Sequence, residues 1–352
     1  MNIAVFLPNW LGDLVMATPT LRAVRNHFGA QAKIVGLLRP YLADVLQGTN
    51  WLDEQWFFDP HSEDRSQHGW AVAQRMRREP FDLAILLPNS LRVAAVAWLG
   101  RVSQRVGYVR YGRGPLLTGK LYPRKVGGRV IAEPMVDSYL EIALALDCPP
   151  ESPRLELATI EADERSADAV FERLELRESR GVIALNSSGA YGGSKLWPVE
   201  HFAALARRIV DELDQDVLAF CGPKEREIAQ KIVALSDRSR VHSMADQPMD
   251  FGTTKACMCR CRLMVSTDSG PRHMAAAFGL PLVTLFGPML PIWSENPTQR
   301  AINLTLDLDC IGCHKRICPL GHHRCMQDLS VETVFAAVTR LMEETTKITL
   351  TD

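Results

Sequence analysis

The residues best suited to chemistry stand in loops that follow short apolar runs. One such loop, Ser-Thr-Asp-Ser-Gly at residues 266–270, lies between the apolar residues 263–265 and Pro271, which suits the first turn of a helix. A loop of this kind directs backbone N–H groups and the positive end of a helix dipole towards one point, which favours an anion. An ordinary strand-to-helix connection capped by Asp268 or Ser269 would have the same composition. The loop alone leaves both interpretations open.

A second acidic residue, Asp13, occupies a similar place near the N-terminus. It ends the loop Pro-Asn-Trp-Leu-Gly-Asp that follows the apolar run at residues 2–7, and a helical pattern continues beyond it. An aspartate here is either an N-cap that accepts first-turn N–H groups or a base at the end of the first strand. Local sequence leaves both roles open, with the cap the simpler one.

A third loop is rich in glycine and serine and contains a single lysine. It spans residues 186–198, includes Ser187 and Ser188, and reaches Lys195 before a helix that starts near Pro198. The spacing of a P-loop is absent. Even so, small residues let backbone N–H groups approach phosphate oxygens, and one ammonium group adds a positive charge. The alternative is a flexible surface loop.

Residues 110–129 form a basic segment that contains no acidic residue. Its cations are Arg110, Arg113, Lys120, Arg124, Lys125 and Arg129. Such a segment is either a solvated surface or a binding surface for a phosphorylated or carboxylated partner. Few aromatic residues interleave with these charges and the formal net charge of the chain is −1, which argues against nucleic acid as the partner.

Four of the nine cysteines cluster near the C-terminus as Cys310-x2-Cys313-x4-Cys318-x6-Cys325. Three histidines accompany them, namely His314, His322 and His323. Paired cysteines of this kind are a metal signature, although the spacing is not that of a zinc ribbon or a ferredoxin. A structural zinc or similar ion, reduced thiols and disulfides all remain open. The chain shows no export signal, which favours reduced thiols in a cytosol.

These loops must be positioned by alternating strands and helices. Apolar, strand-like runs alternate with helical patterns at residues 2–7, 33–38, 56–58, 82–87, 104–109, 181–185, 217–220, 263–265 and 282–286. Residues 41–46 are among the helical patterns. This βαβα order predicts parallel sheets with helices on both faces and ligands at the carboxyl ends of the strands.

The length of 352 residues suits two α/β domains, and a proline-rich break at residues 148–153 suits a linker between them. We expect an N-terminal domain over residues 1–150, a linker with a lead-in helix over 151–180 and a C-terminal domain over 181–330. A final helix over 331–352 would pack back on the N-terminal domain. No apolar run approaches the roughly 20 residues of a transmembrane helix.

Three stretches resemble one enzyme family in the same order along the chain. They are NIAVFLPNWLGDLVMATPTLRAV, SGAYGGSKLWP and STDSGPRHMAAAFGLPLVTLFGP. All three resemble the bacterial heptosyltransferases of glycosyltransferase family 9, and the resemblance spans nearly the whole chain. It implies an α/β protein of the GT-B fold, in which two Rossmann-like domains face each other across a cleft.

The resemblance also implies roles for individual residues. Asp13 matches the family's general base on the acceptor hydroxyl, and it would face the donor site across the cleft. The donor-binding positions implied are Ser187, Ser188, Lys195, Asp268, Ser269, Gly270 and His273. Because the acceptor in this family is acidic, we expect the basic segment to bind it through Arg110, Arg113, Arg124 and Lys125. Arg272 stands where many relatives carry an apolar residue, so it would either add a phosphate contact or face solvent.

Members of this family move heptose from an ADP-sugar to the inner core of lipopolysaccharide with inversion. The resemblance therefore implies ADP-heptose as donor, an acidic lipid-linked oligosaccharide as acceptor, no cofactor and no catalytic metal. It implies a cytoplasmic enzyme at the inner face of the inner membrane, in contact with the membrane only through the acceptor. Two alternatives remain open: another GT-B enzyme that uses, hydrolyses or epimerises a different nucleotide sugar, and a non-catalytic nucleotide-sugar-binding module.

Overall fold

A computed structural model describes residues 1–189 and 192–349 of the chain. Two residues of the predicted phosphate-binding loop, Ala190 and Tyr191, lie outside this range. The chain forms two compact units. The first comprises Met1–Leu157 with Ile292–Asn296, and the second comprises Ala158–Pro291 with Pro297–Asp352.

The first unit alternates strands and helices, as the apolar runs predict. In chain order its elements are β1 (Asn2–Phe6), α1 (Leu11–Met16), α2 (Thr18–Phe28), β2 (Lys33–Leu38), β3 (Glu54–Phe57), α3 (Gly69–Arg78), β4 (Leu83–Leu86), α4 (Leu91–Leu99), β5 (Gln104–Tyr108), β6 (Gly119–Leu121), β7 (Lys125–Val126), β8 (Arg129–Val130) and α5 (Met135–Leu144). Short 3-10 helices occur at Pro40–Leu46, Arg65–Gln67 and Gly114–Leu116.

The main sheet of this unit has the strand order β3-β2-β1-β4-β5-β6, and every neighbouring pair is parallel. Its central strand β1 pairs with β2 on one side, where Ile3 faces Ile34, and with β4 on the other, where Ile3 faces Leu83. Helices cover both faces of such a sheet, which explains why β1 and β4 are continuous apolar runs. The strand order reverses between β1 and β4, so the loops that follow these two strands meet at one edge.

The second unit repeats this plan. Its elements are α6 (Glu161–Arg173), β9 (Val182–Asn186), α7 (Val199–Leu213), β10 (Asp216–Phe220), α8 (Arg226–Ser236), β11 (Val241–Ser243), α9 (Phe251–Cys259), β12 (Leu263–Thr267), α10 (Gly270–Ala277), β13 (Leu282–Leu285), β14 (Ala301–Leu304), α11 (Arg324–Gln327) and α12 (Val331–Thr349). Short 3-10 helices occur at Gly193–Lys195 and Met244–Asp246, and a third, Pro291–Ser294, lies where the chain passes from one unit to the other.

The sheet of the second unit is also parallel throughout, in the order β11-β10-β9-β12-β13-β14. Its strand order reverses between β9 and β12. The last helix, α12, buries Val334, Val338 and Leu341 in the apolar core formed by this sheet and α7. The burial of that face holds α12 on its own unit. Packing of this helix on the N-terminal half stays a prediction.

The α/β class and the two Rossmann-like units are confirmed. The basic segment contains regular structure, because residues 119–121 form an edge strand of the main sheet and residues 125–130 form an antiparallel hairpin. Gly127 and Gly128 make the hairpin turn with φ of +57° and +77°, the left-handed values that a two-residue turn requires. Residues 41–46 lie in a 3-10 helix instead of an α-helix. Among the described helices, none combines the length and apolar character needed to cross a bilayer.

Candidate functional site

In the second unit, polar side chains gather where the sheet reverses its strand order. The loop after β9 carries Ser187, Ser188 and Lys195, and the loop after β12 carries Asp268 and Ser269. β9 and β12 are hydrogen-bonded neighbours, so their carboxyl ends lie side by side. Crevices outside the carboxyl ends at such a reversal are where open α/β sheets bind ligands.

Lys195 and Asp268 are the closest charged contact of this edge. The Lys195 Nζ lies 2.6 Å from Asp268 Oδ2 and 2.8 Å from the backbone oxygen of the same residue. Both side chains are largely withdrawn from water, with exposed fractions of 11% and 13%. The 3-10 turn at residues 193–195 therefore places one ammonium group against the start of α10.

Arg272 lies beneath this ion pair and is buried. Its Nη1 is 3.7 Å from Asp268 Oδ1, and its Nε donates to Thr284 Oγ1 at 3.2 Å. Burial lowers the pKa of Arg272, and the charge of Asp268 opposes that shift. Of the two roles proposed for Arg272, facing solvent is therefore wrong. The guanidinium supports the Asp268 loop from inside.

His273 is buried beside Arg272. Burial lowers its pKa well below the ordinary value, and the charges of Arg272 and Lys195 lower it further. The imidazole is therefore neutral at physiological pH. Its Nε2 lies 3.4 Å from Arg272 Nη1, so in the neutral ring this nitrogen serves as the acceptor and Nδ1 carries the proton.

Asn186 connects the two loops from the end of β9. Its Nδ2 donates to Ser266 Oγ and to Ser269 Oγ, both at 2.8 Å. Ser188 Oγ reaches Ser269 Oγ at 3.1 Å, and Thr267 Oγ1 donates to the Ser188 backbone oxygen at 2.5 Å. Ser269 is the N-cap residue of α10, yet its hydroxyl makes no capping bond and belongs to this network instead. The network fixes both loops relative to each other.

Two buried polar atoms of this edge have no hydrogen-bond partner among the described residues. They are Asn186 Oδ1 and His273 Nδ1. Buried polar groups normally find partners, so orphan atoms beside a helix N-terminus and a lysine suggest that a polar ligand completes the site. The cations and N–H groups at this edge suit an anionic ligand.

Glu225 joins the β9 and β10 loops at the same edge. Its carboxylate accepts the Gly222 N–H at 2.9 Å and the Gly189 N–H at 3.4 Å. Lys224, its neighbour, is exposed. The resemblance to family 9 places Lys224 or Glu225 near a ribose-contacting acidic position, and Glu225 is the one of the two whose contacts join these loops. A ribose contact stays a prediction.

In the first unit, Asp13 lies in the first turn of α1. The helix begins at Leu11 with Trp10 as its N-cap, so Asp13 is not at the cap position. The carboxylate follows β1 at the reversal between β1 and β4, the position that corresponds to the Asp268 loop in the second unit. The first-turn location places the carboxylate near the positive end of the helix dipole.

Tyr139 from α5 contacts Asp13. Its hydroxyl donates to Asp13 Oδ1 at 3.5 Å, a long hydrogen bond. Burial raises the pKa of Tyr139 well above its ordinary value, and the charge of Asp13 raises it further, so the phenol stays protonated. Burial likewise raises the pKa of Tyr41, with a contribution from Asp13. The sequence did not identify either tyrosine, because the 3-10 helix with Tyr41 and the helix α5 with Tyr139 come near Asp13 only through the fold.

A cavity opens beside Tyr139 within the first unit. Its lining includes Asn89, Tyr108, Arg110, Glu133 and Ser138. Arg110 is therefore a cation of the basic segment that lines this cavity, while Arg124 and Lys125 are exposed at the base of the hairpin. These three cations are accessible to an anionic partner.

Arg113 differs from the other predicted acceptor-binding cations, because its side chain is fully buried. It donates to the backbone oxygens of Tyr108 at 2.7 Å and Leu86 at 3.4 Å, to Pro88 O, and to Asn89 Oδ1 at 2.9 Å. Burial lowers its pKa to about 10, so the group stays charged at physiological pH. Its donors are engaged with the ends of β4 and β5, which makes Arg113 a structural residue of this edge.

The four clustered cysteines lie together in the second unit. All nine cysteines of the chain are within the described range, and all are free thiols. Cys310, Cys313, Cys318 and Cys325 line a single cavity with His322 and His323. No group of three His, Cys, Asp or Glu side chains in the described part of the chain is already arranged to hold an ion.

Comparison with known proteins identifies relatives of the whole chain. The family model described as glycosyltransferase family 9 (heptosyltransferase) matches residues 69–323. The lipooligosaccharide heptosyltransferase 2 of Haemophilus ducreyi is 27% identical, over 97% of this chain and 99% of that protein. The family match includes the Lys195 and Asp268 loops, whereas Asp13 lies before it and within the full-length alignment.

Solved structures agree in fold over the same length. A glycosyltransferase family 9 protein from Veillonella parvula has a TM-score of 0.81 at 25% identity, covering 97% of both chains. The Escherichia coli ADP-heptose lps heptosyltransferase II has a TM-score of 0.77 at 24% identity, covering 98% of this chain and 99% of that one. The second likeness supports the fold alone, which is of the GT-B class.

Proposed function

This chain belongs to glycosyltransferase family 9 and is a glycosyltransferase, and we propose that it transfers L-glycero-D-manno-heptose from ADP-heptose to the lipopolysaccharide inner core. The acceptor we propose is of the heptosyl-Kdo2-lipid A type, as in heptosyltransferase II enzymes. One observation carries the proposal: Lys195 and the N-terminus of α10 meet at Asp268, where β9 and β12 reverse the strand order.

We assign donor binding to the second unit. Lys195 and the backbone N–H groups at the start of α10 contact the diphosphate in this proposal, and Asn186 Oδ1 and His273 Nδ1 gain partners from the ligand. Ser187, Ser188, Ser269 and Gly270 supply the small residues that allow close approach. A diphosphate that leaves as ADP develops negative charge, and oriented cations and N–H groups stabilise that charge in the transition state. The transfer step then needs no catalytic metal.

We assign the general base to Asp13 in the first unit. In an inverting displacement the acceptor oxygen forms a bond to the anomeric carbon as the bond from that carbon to the phosphate oxygen breaks. The acceptor hydroxyl proton passes to the Asp13 carboxylate. Tyr139 donates to the same carboxylate and holds its orientation. Proton removal by a positioned carboxylate contributes about 10²- to 10⁴-fold to such reactions.

We assign the acidic acceptor to the cavity beside Tyr139 and the cations near it. Arg110 lines that cavity, and Arg124 and Lys125 are exposed in the same basic segment. The acceptor carries keto-acid sugars and phosphates on a lipid, so three accessible cations match its charge. With a lipid-linked acceptor and a nucleotide-sugar donor, the enzyme would act in the cytoplasm at the inner face of the inner membrane.

The direct test incubates the purified chain with ADP-heptose and a heptosyl-Kdo2-lipid acceptor and follows the acceptor by mass spectrometry. We expect one heptose to be added by the wild type. Asp13→Asn should lower kcat by about 10²- to 10⁴-fold while donor affinity stays close to wild type, because the amide cannot take the proton. Glu63→Gln, at an exposed carboxylate of the same unit, is the matched control and should be fully active.

Three results would contradict the proposal in different ways. Loss of ADP-heptose without acceptor modification would indicate a hydrolase or epimerase of nucleotide sugars. Donor binding without any turnover would indicate a binding module. Full transfer by Asp13→Asn would remove Asp13 from the role of base while leaving the heptosyl transfer itself intact.

A further inference from the structure

The cysteine cavity of the second unit lies outside the proposed catalytic groups. Its lining brings together Cys310, Cys313, Cys318 and Cys325, which are spread over sixteen consecutive positions of irregular chain and the start of α11. Four thiols around one small cavity are a sufficient ligand set for a tetrahedral metal ion. The question is whether the backbone and the neighbouring groups favour thiolates there.

Tight turns bring the cysteines to the cavity. Gly312 and His314 have φ of +72° and +53°, on either side of Cys313, and Gly321 and His323 have φ of +71° and +49° after Cys318. Left-handed φ values are uncommon outside glycine and often occur at functional sites. Two histidines with such values in this segment therefore suggest that its backbone conformation serves a site. These residues bend the backbone on either side of Cys313 and between Cys318 and Cys325.

Four backbone N–H groups surround the sulfur atom of Cys318. They belong to His323, Leu320, Gly321 and His322. N–H groups directed at a sulfur stabilise a thiolate, the form of cysteine that binds metals. An ordinary reduced thiol does not need such an arrangement.

The other three cysteines are close to Cys325. Cys325 is partly buried, and the sulfur atoms of Cys310, Cys318 and Cys313 lie near its own. A Cβ atom on Gly287 would lie 3.3 Å from the Cys325 sulfur, so the neighbouring strand end also borders this group. Four thiolates around one cavity would repel one another unless a cation lay among them.

Each of the two cavity histidines makes a hydrogen bond to the backbone through a ring nitrogen. His323 Nε2 lies 2.7 Å from the Ser194 backbone oxygen, and His322 Nδ1 accepts the Arg324 N–H at 3.0 Å. These bonds hold the turn after Cys318 in place. The four sulfur atoms therefore form the more complete ligand set.

We propose that Cys310, Cys313, Cys318 and Cys325 together bind one tetrahedral, thiolate-coordinated metal ion, Zn²⁺ or Fe²⁺. Four-sulfur tetrahedral sites select these ions, since thiolates are soft ligands. On binding, the thiols release their protons to solvent and the sulfur atoms coordinate the ion. No three of these side chains are in ligand geometry in the described residues, so the proposal requires the thiols to reorient towards the cavity when the ion binds.

The site has a structural consequence for the turn that carries Lys195. Ser194 N donates to the Arg316 backbone oxygen at 3.2 Å, and Ser194 Oγ donates to the Lys315 backbone oxygen at 2.6 Å. With the His323 contact to Ser194, three bonds tie this turn to the cysteine segment. The metal is thus a positioning element for Lys195, an inference that rests on the proposed donor role of Lys195.

The test measures the metal content of the purified full-length chain by inductively coupled plasma mass spectrometry. We expect about one zinc or iron per chain in the wild type and in the control Cys259→Ser, a cysteine on α9 far from the cluster in sequence. Cys313→Ser and Cys318→Ser should each lose most of the metal. Iron would be distinguished from zinc by visible thiolate-to-iron charge-transfer absorption.

Chelation keeps the test decisive if the variants fail to fold. Metal removal from the wild type should lower Tm, and re-addition of zinc should restore it. Added cobalt should give the absorption bands of a tetrahedral thiolate site. A metal-free native protein whose four cluster thiols react with a thiol reagent, or one with disulfides between them, would overturn the proposal. Metal content is measured without any sugar substrate, so its failure is distinct from failure of the heptosyl transfer.

Discussion

Lys195 Nζ lies within 2.8 Å of two oxygen atoms of Asp268, its carboxylate Oδ2 and its backbone carbonyl. These residues are separated by 73 positions in the chain, and each follows a different strand of the same sheet reversal. The ammonium is therefore held at the N-terminus of α10 before a donor arrives. A diphosphate carries more negative charge than one carboxylate, so it is able to compete for this cation.

The first prediction concerns Lys195. Lys195→Met should lower kcat/KM for the sugar donor by about 100-fold or more, because the leaving diphosphate loses a positioned cation. Tm should change little, since Asp268 keeps Arg272 as a partner. Steady-state kinetics with varied donor provide the measurement. Lys231→Met on the exposed side of α8 is the control, and an unchanged kcat/KM in Lys195→Met would remove Lys195 from the donor site.

The second prediction concerns the pH dependence of the proposed base. Tyr139 donates to the Asp13 carboxylate, and a hydrogen bond to the charged form lowers the pKa of an acid. Tyr139→Phe removes a donor that favours the charged carboxylate, so the acidic limb of the kcat/KM profile should move to higher pH. The acidic limb should move by less than about one pH unit, because the hydrogen bond from Tyr139 to Asp13 is long at 3.5 Å.

A merely structural role for Tyr139 would lower activity at every pH without moving that limb. The comparison therefore requires full profiles of the wild type and Tyr139→Phe, measured with donor and acceptor below KM. A shift to lower pH would contradict the hydrogen-bond assignment.

The third prediction concerns stability at low pH. His273 is neutral in the folded protein, because burial and the charges of Arg272 and Lys195 lower its pKa well below the ordinary value. The unfolded chain binds this proton once the pH falls below about 6.5, so the unfolded state gains protons that the folded state lacks. The free energy of unfolding should then decrease by up to about 1.4 kcal/mol per pH unit below that point.

Thermal unfolding of the wild type and His273→Gln at pH 7.5 and 5.5 measures this effect. Tm of the variant should fall less between the two values than Tm of the wild type, and the exposed-residue control His61→Gln should behave like the wild type. Equal losses in all three proteins would show that His273 is protonated without unfolding.

The fourth prediction separates the two kinds of arginine in the basic segment. Replacing Arg110, Arg124 and Lys125 together by alanine should raise KM for the acidic acceptor and leave donor KM near wild type. Arg113→Met should instead lower the free energy of unfolding by at least about 2 kcal/mol, because its buried acceptors lose their donor. Kinetics with each substrate and denaturant titrations provide the readouts. Equal loss of donor and acceptor affinity in the triple variant would reject the acceptor assignment.

The sequence determined the class of fold and the places where side chains follow strands. Strands buried on both faces form runs of apolar residues, so such runs in the sequence predicted β1, β9 and β12. Asp13 and Asp268 could be located after such runs for the same reason. Short edge strands such as β6 and β14 were missed, because a few residues at a sheet edge need no apolar period.

Only the tertiary structure decided which of these loops meet. Local periodicity carries no information on strand order or on helix packing. The reversal at β9/β12 brings Lys195 to Asp268, and the packing of α5 against α1 brings Tyr139 to Asp13. Burial is likewise a property of the fold. In the sequence, Arg113 and Arg272 are charged residues near loops. In the fold, Arg113 packs against the ends of strands and Arg272 packs against β13, so both are buried structural residues and not surface cations.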